Sequence, residues 1–128
     1  MKKKIPLENE IVAKCKHWKN ISKKIVFTNG CFDLLHKGHL DLLNEALQFG
    51  DILIVGLNSD ESVKKLKGNS RPIEPQKVRK ANLFKIKFIS DVIIFDEITP
   101  LKLIKVIEPN FIVKGGDYKP ENIVGAKE

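Results

Sequence analysis

Hydrophobic residues along this chain occur in two kinds of segment, and the two kinds alternate. Short, continuous apolar runs rich in Ile and Val predict strands covered on both faces, as in a parallel sheet. Segments with apolar residues three or four positions apart predict amphipathic helices. The predicted strands are residues 24–30, 51–58, 91–97 and 110–118. The alternation predicts an α/β fold, a parallel sheet with helices on both faces.

Capping residues and prolines predict where the helices begin and end. We expect helices over 7–19, 37–50, 60–68, 75–88 and 99–108. Gly50 is predicted to cap the end of the second helix, Ser59 or Asp60 to begin the third, and Thr99 to begin the last. Apolar faces are expected on the second helix, formed by Leu40, Leu43 and Leu47, and more weakly on the fourth, formed by Val78, Leu83 and Ile86. The first helix is expected to be amphipathic too.

Length and composition are those of a single soluble globular domain of 128 residues, with 42% hydrophobic and 30% charged residues. Nothing resembles a signal peptide, and no apolar run approaches the roughly 20 residues of a membrane span. We therefore expect a cytoplasmic protein that does not bind a membrane. Cys15 and Cys31 are far apart and lack metal-ligand spacing, which predicts two reduced thiols.

The charge balance favours an anionic partner. The net charge is +7, and lysine supplies nearly all of the positive side. Such a chain suits a nucleotide, a sugar phosphate, a nucleic acid or a membrane surface. The lysines form no basic stripe with interleaved aromatic residues, so we expect small-molecule substrates and no nucleic acid.

Candidate chemistry is concentrated in residues 27–40, "FTNGCFDLLHKGHL". His36 and His39 stand three apart at a predicted helix start, where free N–H groups and the helix dipole favour an anion. Gly30 allows close approach of a ligand, and Gly38 is expected to leave room for a bulky anion. A metal site would use both histidines but lacks a third ligand at clear spacing. Two histidines with no chemical role are the other alternative.

The stretch "TNGCFDLLHKGH" resembles the His-x-Gly-His signature of the cytidylyltransferase-like nucleotidyltransferase superfamily. Downstream, "VGLNSDESVKKLKGNSRPI", "FDEITPLKLIKVIEPNFIVKGGDY" and "VGA" look like the adenylyltransferases that activate D-glycero-β-D-manno-heptose 1-phosphate for lipopolysaccharide core synthesis. In many bacteria that activity is the C-terminal half of a bifunctional kinase–adenylyltransferase. The resemblance covers residues 22–126 and implies a Rossmann-like fold of the nucleotidyltransferase type.

The resemblance also implies roles for individual residues. Catalysis at the α-phosphate of ATP would involve His36 and His39, with Lys37 beside them. Nucleotide binding would involve Thr28, Asn29, Gly30, Phe32, Lys114, Gly115 and Asp117. The sugar-phosphate side would involve Asp60, Lys67 and Arg71, while Asp33 would orient the loop or contact substrate. The implied reaction makes ADP-heptose and pyrophosphate from ATP, with Mg²⁺ on the ATP phosphates and no metal ligand in the chain.

Several alternatives stay open at this point. The histidine motif does not separate adenylyltransferases from glycerol-3-phosphate or ethanolamine-phosphate cytidylyltransferases, or from FAD synthetases, although "LKGNSRPI" and "VKGGDY" favour heptose. Family members continue past "VGA" to a Ser/Thr-rich motif and a closing helix. Residues 1–128 are thus expected to form one nucleotidyltransferase domain without that segment, and an inactive nucleotide-binding fragment is a further alternative. Family members often pair through this domain, so the resemblance also allows a homodimer.

Overall fold

The structure, a computed structural model, describes the backbone of residues 4–114 and the side chains of residues 10–114. Within these residues, helices and strands alternate around one sheet, so the predicted α/β architecture is confirmed. The strands are β1 (Ile25–Gly30), β2 (Ile52–Asn58), β3 (Asp91–Phe95) and β4 (Phe111–Lys114). The helices are α1 (Lys4–Asn20), α2 (Lys37–Leu47), α3 (Asp60–Lys67), α4 (Gln76–Phe84) and α5 (Leu101–Ile107).

The sheet is parallel throughout and has the strand order β3-β2-β1-β4. The chain moves outward from β1 through β2 to β3, then returns through α5 to place β4 on the other side of β1. Gly30 is paired with Leu57 of β2, and Asn29 with Lys114 of β4, so three strands end at the same edge. In open parallel sheets, ligands bind beyond this edge, where the strand order reverses.

Two apolar layers cover the two faces of the sheet, because successive residues of a strand point to opposite sides. Val26 packs in one layer with buried residues of α2 and α4, such as Leu43 and Leu83. Phe27 packs in the other layer with residues of α1 and α5, including Ile11. Each layer fastens two helices to the sheet, which leaves the strand ends free to form a cleft.

Two predicted helix caps are wrong. Helix α2 ends at Leu47 with Gln48 in right-handed conformation, not at Gly50. A Cβ atom at Gly50 would lie 2.8 Å from the carbonyl oxygen of Lys24, so this glycine permits close contact with the chain entering β1. Thr99 does not cap α5, which follows Pro100 without a side-chain cap. The predicted cap at Ser59 is confirmed, since its side chain accepts from the Ser62 N–H at 3.2 Å.

The predicted buried faces of α2 and α4 need correction. Leu43 is buried as predicted, but Leu40 is 41% exposed and Ala46 takes its place in the core. In α4, Val78 is 40% exposed, and the fully buried residue beside it is Arg79. Leu83 is buried as predicted. Hydrophobic spacing was therefore wrong for Val78, because the inner face of α4 packs partly against polar strand ends and not only against the apolar core.

Cys15 is buried on α1 and Cys31 lies partly exposed after β1; both are free thiols, as predicted. Within residues 4–114, the structure contains no helix of the length and apolar character required to cross a membrane.

Candidate active site

A cleft of about 520 Å³ lies at the carboxyl edge of the sheet. Its walls come from the loop after β1, the start of α2, the end of β2, the end of α3 and the segment that follows it. The lining residues that carry hydrogen-bonding or charged groups include Asn29, Asp33, His36, His39, Asn58, Lys67, Arg71 and Lys114. A larger groove of about 850 Å³ lies at the opposite edge, near the amino ends of β1 and β4, and contains no predicted site residue.

Backbone N–H groups at the start of α2 hold the rings of His36 and His39 in place. His36 is the N-cap, and its Nδ1 accepts from the Gly38 N–H at 3.0 Å. The Nδ1 of His39 accepts from the His36 N–H at 3.2 Å. Since a backbone N–H only donates, both Nδ1 atoms are unprotonated, and each neutral ring carries its proton on Nε2. Neither Nε2 forms a hydrogen bond within residues 10–114, so both Nε2–H groups are available as donors on two residues that line the cleft.

Gly38 makes this arrangement of the histidines sterically possible. A Cβ atom at this position would lie 2.8 Å from Cε1 and 3.1 Å from Nδ1 of His36. The predicted role of Gly38 was to leave room for an anion. The structure shows instead that its missing side chain leaves room for the His36 ring.

The environment of His39 favours its neutral form. Partial burial lowers the pKa of His39, and the nearby His36 and Lys67 lower it further. The ring centroids of His36 and His39 are 4.1 Å apart, so His36 is close enough to act on the pKa of His39. At neutral pH, His39 is therefore a neutral donor through Nε2 and not a cation.

Positive charge surrounds the histidines in the cleft. Lys67 comes from α3, Arg71 from the segment after it, and Lys114 from the end of β4. Arg71 lies 3.5 Å from Asp33, whereas neither lysine forms an ion pair within the part of the chain that the structure describes. This arrangement suits a ligand with several phosphate charges.

Asp33 connects two loops of the site. Its Oδ2 accepts from the Ile73 N–H at 2.7 Å, and its Oδ1 from the Glu74 N–H at 2.9 Å. Burial acts to raise the pKa of Asp33, but the two N–H donors, Arg79 and Arg71 outweigh it, so the pKa is lowered. Of the two predicted roles for Asp33, the structure favours orientation of the loop.

Arg79 is a residue that supports the cleft from within the protein and that the sequence interpretation missed. Its guanidinium is completely buried and donates to the carbonyl oxygens of Glu74, Cys31 and Asn58 at 2.8–2.9 Å. Its Nη2 lies 2.7 Å from Oδ1 of Asp60. Two features of the sequence could have indicated it. Arg79 stands four residues before Leu83, on the predicted apolar face of the helix, and the cations of this chain are nearly all lysines.

Asp60 and two other predicted residues do not line the cleft. The Asp60 carboxylate accepts hydrogen bonds from Arg79 and from the Gln76 N–H, the latter at 2.8 Å, which makes it a structural group.

Lys37 and Thr28 are the other two. Lys37 is exposed and pairs with Asp41 at 3.0 Å, because both lie one turn apart on the outer face of α2. Thr28 is buried and donates to the Val113 carbonyl. The structure thus gives the catalytic assignment of Lys37 no support.

The remaining predicted residues divide into two groups. Asn29, Gly30, Phe32, Lys67, Arg71 and Lys114 lie together on the cleft walls with the two histidines. Gly115 and Asp117 lie outside the described residues. Asn58 was not predicted, yet it lines the same cleft at the end of β2.

This constellation at the edge of a parallel sheet agrees with the comparisons with known proteins. The family described as cytidylyltransferase-like matches residues 27–124. The chain belongs to the cytidylyltransferase-like family. The predicted resemblance is confirmed, and the chain therefore carries a nucleotidyltransferase domain.

Individual relatives support the cytidylyltransferase-like assignment. The chain is 57% identical over 106 residues to the bifunctional protein HldE of Aliarcobacter butzleri, covering 83% of this chain and 22% of that protein. It is 51% identical over 119 residues to the HldE of Nitratiruptor sp., covering 93% and 25%. The chain thus spans about a quarter of the length of these curated relatives.

A solved structure shows the same fold. The crystal structure of the lipopolysaccharide core biosynthesis protein from Thermoplasma volcanium superposes with a TM-score of 0.64 at 30% sequence identity. The match covers 71% of this chain and 73% of that one. The nucleotidyltransferase-type architecture of the cytidylyltransferase-like domain is therefore shared with a protein of known structure.

Proposed function

We propose that this domain transfers AMP from ATP to D-glycero-β-D-manno-heptose 1-phosphate, producing ADP-heptose and pyrophosphate for lipopolysaccharide core synthesis. The observation that carries the proposal is that His36 and His39 both line the cleft with Nδ1 engaged by a backbone N–H, which leaves their Nε2–H groups available to a ligand. The similarity to HldE proteins and to a lipopolysaccharide core biosynthesis protein supports the choice of acceptor. Because the reaction uses ATP, we place it in the cytoplasm.

The chemistry is a direct displacement at phosphorus. A phosphate oxygen of the sugar phosphate forms a bond to the α-phosphorus of ATP. The bond from that phosphorus to the bridging oxygen breaks, and pyrophosphate leaves with the electron pair. A phosphate monoester is already anionic near neutral pH, so no strong base is required. The domain contributes positioning and stabilisation of developing charge.

The two histidines would supply that stabilisation. Their Nε2–H groups would donate to the non-bridging oxygens of the α-phosphate, where negative charge builds up during displacement. The hydrogen bonds to both Nδ1 atoms hold the rings in place before substrate arrives. Pre-oriented donors do not have to reorganise during the reaction, which is why such an arrangement is effective.

Some residues of the cleft wall would bind the nucleotide, and others would bind the acceptor sugar phosphate. Asn29, Gly30, Phe32 and Lys114 are proposed to contact the nucleotide, since they lie along β1 and its neighbour β4. Lys67 and Arg71, on the side of β2 and α3, are proposed to hold the acceptor phosphate. On this proposal, the histidines would lie between the two phosphates that react.

Mg²⁺ enters the proposal only as the ion that accompanies the triphosphate, where it would reduce the charge of the leaving pyrophosphate. Within the residues that the structure describes, no three His, Cys, Asp or Glu side chains cluster as a metal site. The residues that the structure describes therefore offer no set of ligands for a protein-bound metal ion, and no step of the reaction is derived through one.

The test is pyrophosphate release with ATP, CTP, GTP and UTP against a panel of sugar and alcohol phosphates. We expect release with ATP and heptose 1-phosphate, and none when the acceptor is omitted. Release only with CTP and glycerol 3-phosphate or ethanolamine phosphate would assign the domain to a cytidylyltransferase. Nucleotide binding without release under any combination would contradict an enzymatic role for this chain.

A further inference from the structure

We infer that Asn58 recognises a hydroxyl group of the acceptor sugar phosphate. Asn58 is the last residue of β2, is 2% exposed and lines the cleft. Its Nδ2 is buried and has no hydrogen-bond partner within the part of the chain that the structure describes. The inference rests on the proposed function, because it assigns a role in recognising the acceptor.

A buried amide without a partner is costly, because the group has lost water and gained nothing in return. Buried side-chain donors in native proteins are nearly always satisfied, so an exception on the wall of a substrate cleft indicates that a ligand supplies the partner. No other buried side-chain nitrogen or oxygen of the described residues is unsatisfied in this way. The residue that carries the unsatisfied donor is therefore also one that lines the cleft.

The backbone of Asn58 is held firmly, so its amide is positioned in advance. Its carbonyl oxygen accepts from Nη1 of the buried Arg79 at 2.8 Å. The next N–H, of Ser59, donates to the carbonyl oxygen of Phe95 in β3 at 2.9 Å. Helix α4 and strand β3 thus hold the end of β2, so the backbone of Asn58 is fixed before a substrate binds.

The position of Asn58 in the sheet points to the acceptor and not to the nucleotide. Strand β2 lies on one side of β1, and β4 with Lys114 lies on the other. The strand order reverses between β1 and β4, which is where nucleotides bind in such sheets. Lys67 and Arg71 also line the cleft, and they lie on α3 and the segment after it, which follow β2 directly in the chain, so we group Asn58 with them.

The chemistry of these three side chains indicates which part of the acceptor each would bind. The cations of Lys67 and Arg71 suit its phosphate, whereas the neutral amide of Asn58 suits a neutral hydroxyl oxygen. A site that hydrogen-bonds a substrate hydroxyl discriminates strongly against an analogue without it, since the buried donor is again left unpaired. Asn58 would therefore select a polyhydroxylated acceptor.

The experiment compares Asn58→Leu and Asn58→Asp with the unchanged chain. Leucine has nearly the same shape as asparagine but no donor, and aspartate replaces the donor with a charged acceptor. We expect each substitution to raise KM for heptose 1-phosphate at least tenfold and to change KM for ATP less than twofold. Asn44→Leu, on the exposed face of α2, is the matched control and should change neither constant.

Thermal unfolding of the ligand-free variants gives an independent readout. Because Asn58→Leu removes an unsatisfied polar group, we expect its Tm to equal or exceed that of the unchanged chain. Heptose 1-phosphate alone should raise the Tm of the unchanged chain and not that of Asn58→Leu. A lower Tm for Asn58→Leu with an unchanged acceptor KM would show a structural role and overturn the inference, as would a selective increase in KM for ATP.

The same measurements separate this inference from the proposed function. An unchanged chain that releases no pyrophosphate with ATP and heptose 1-phosphate contradicts the proposed reaction. In that case, a Tm shift by heptose 1-phosphate that disappears in Asn58→Leu still supports acceptor recognition, and equal or absent shifts in both chains overturn it. An active chain whose Asn58 variants keep the acceptor KM overturns the inference alone.

Discussion

Arg79 and Asp60 form a partly buried ion pair, with Nη2 and Oδ1 2.7 Å apart and the arginine side chain fully inaccessible to solvent. The same guanidinium donates to the carbonyl oxygens of Cys31 and Asn58, at the ends of β1 and β2. Arg79 therefore joins the two strand ends that support the cleft. None of these contacts is with a core hydrophobic residue.

Replacing Arg79 with lysine should lower the free energy of unfolding by about 3 kcal/mol, since an ammonium group cannot reach all four acceptors and leaves buried oxygens unpaired. Urea denaturation measures this change. Lys77→Ala, at an exposed position of the same helix, is the control and should change the free energy by no more than about 0.5 kcal/mol. Equal stability of both variants would rule out Arg79 as the connecting residue.

His36→Asn separates the chemical role of this residue from its role as a helix cap. Asparagine is a favourable N-cap, so its side-chain oxygen can replace Nδ1 while the Nε2–H donor is lost. We expect turnover to fall about 10²-fold with little change in Tm. His36→Ala should lose turnover and also about 1 kcal/mol of stability. Normal turnover in His36→Asn would contradict the proposed contact with the α-phosphate.

Gly38→Ala should displace the His36 ring, because the added Cβ atom would lie 2.8 Å from Cε1. A displaced donor should reduce turnover by about 10²-fold, although alanine is the better helix former. Steady-state kinetics and Tm together distinguish this effect from unfolding. In the double variant with His36→Asn the clash is absent, so the two losses should not add. Additive losses would show that Gly38 acts independently of His36.

The lowered pKa of His39 predicts a pH dependence of stability. Below its ordinary pKa of 6.5, an unfolded His39 binds a proton more readily than the folded one, which burial, His36 and Lys67 keep neutral. The free energy of unfolding should therefore decrease as the pH falls from above 6.5 through the lower, folded pKa. Denaturation at pH 7.5 and 5.5 should show a larger decrease for the unchanged chain than for His39→Asn, and equal decreases would contradict the assignment.

The elements of the fold were predictable where local pattern and tertiary environment agree. The apolar run at 51–58 is buried as strand β2 (Ile52–Asn58), because a central strand of a parallel sheet is covered on both faces. Gly50 was wrongly predicted to be a helix cap, because a glycine after a helix can either end the helix or allow another segment to pack closely. Only the packing against Lys24 shows which one applies.

The location of the candidate site was predictable from the sequence, but the roles of its individual polar residues were not. The spacing of His36 and His39 indicated a phosphate site at a helix start, and the family resemblance supplied Lys67, Arg71 and Lys114. The sequence did not reveal which polar residues face the cleft and which serve other residues. A carboxylate such as Asp60 reads identically in sequence whether it binds substrate or an arginine.

The sequence by itself determined the order of helices and strands, the parallel sheet and the family, because these depend on hydrophobic period and on a contiguous motif. Only the tertiary structure decided that Arg79 is buried, that Asp60 belongs to it and that the Asn58 amide is unsatisfied at the cleft. Each of these depends on partners far apart along the chain. The physical reason is that the cost of a buried polar group depends on what surrounds it in space, and a local pattern carries no record of those neighbours.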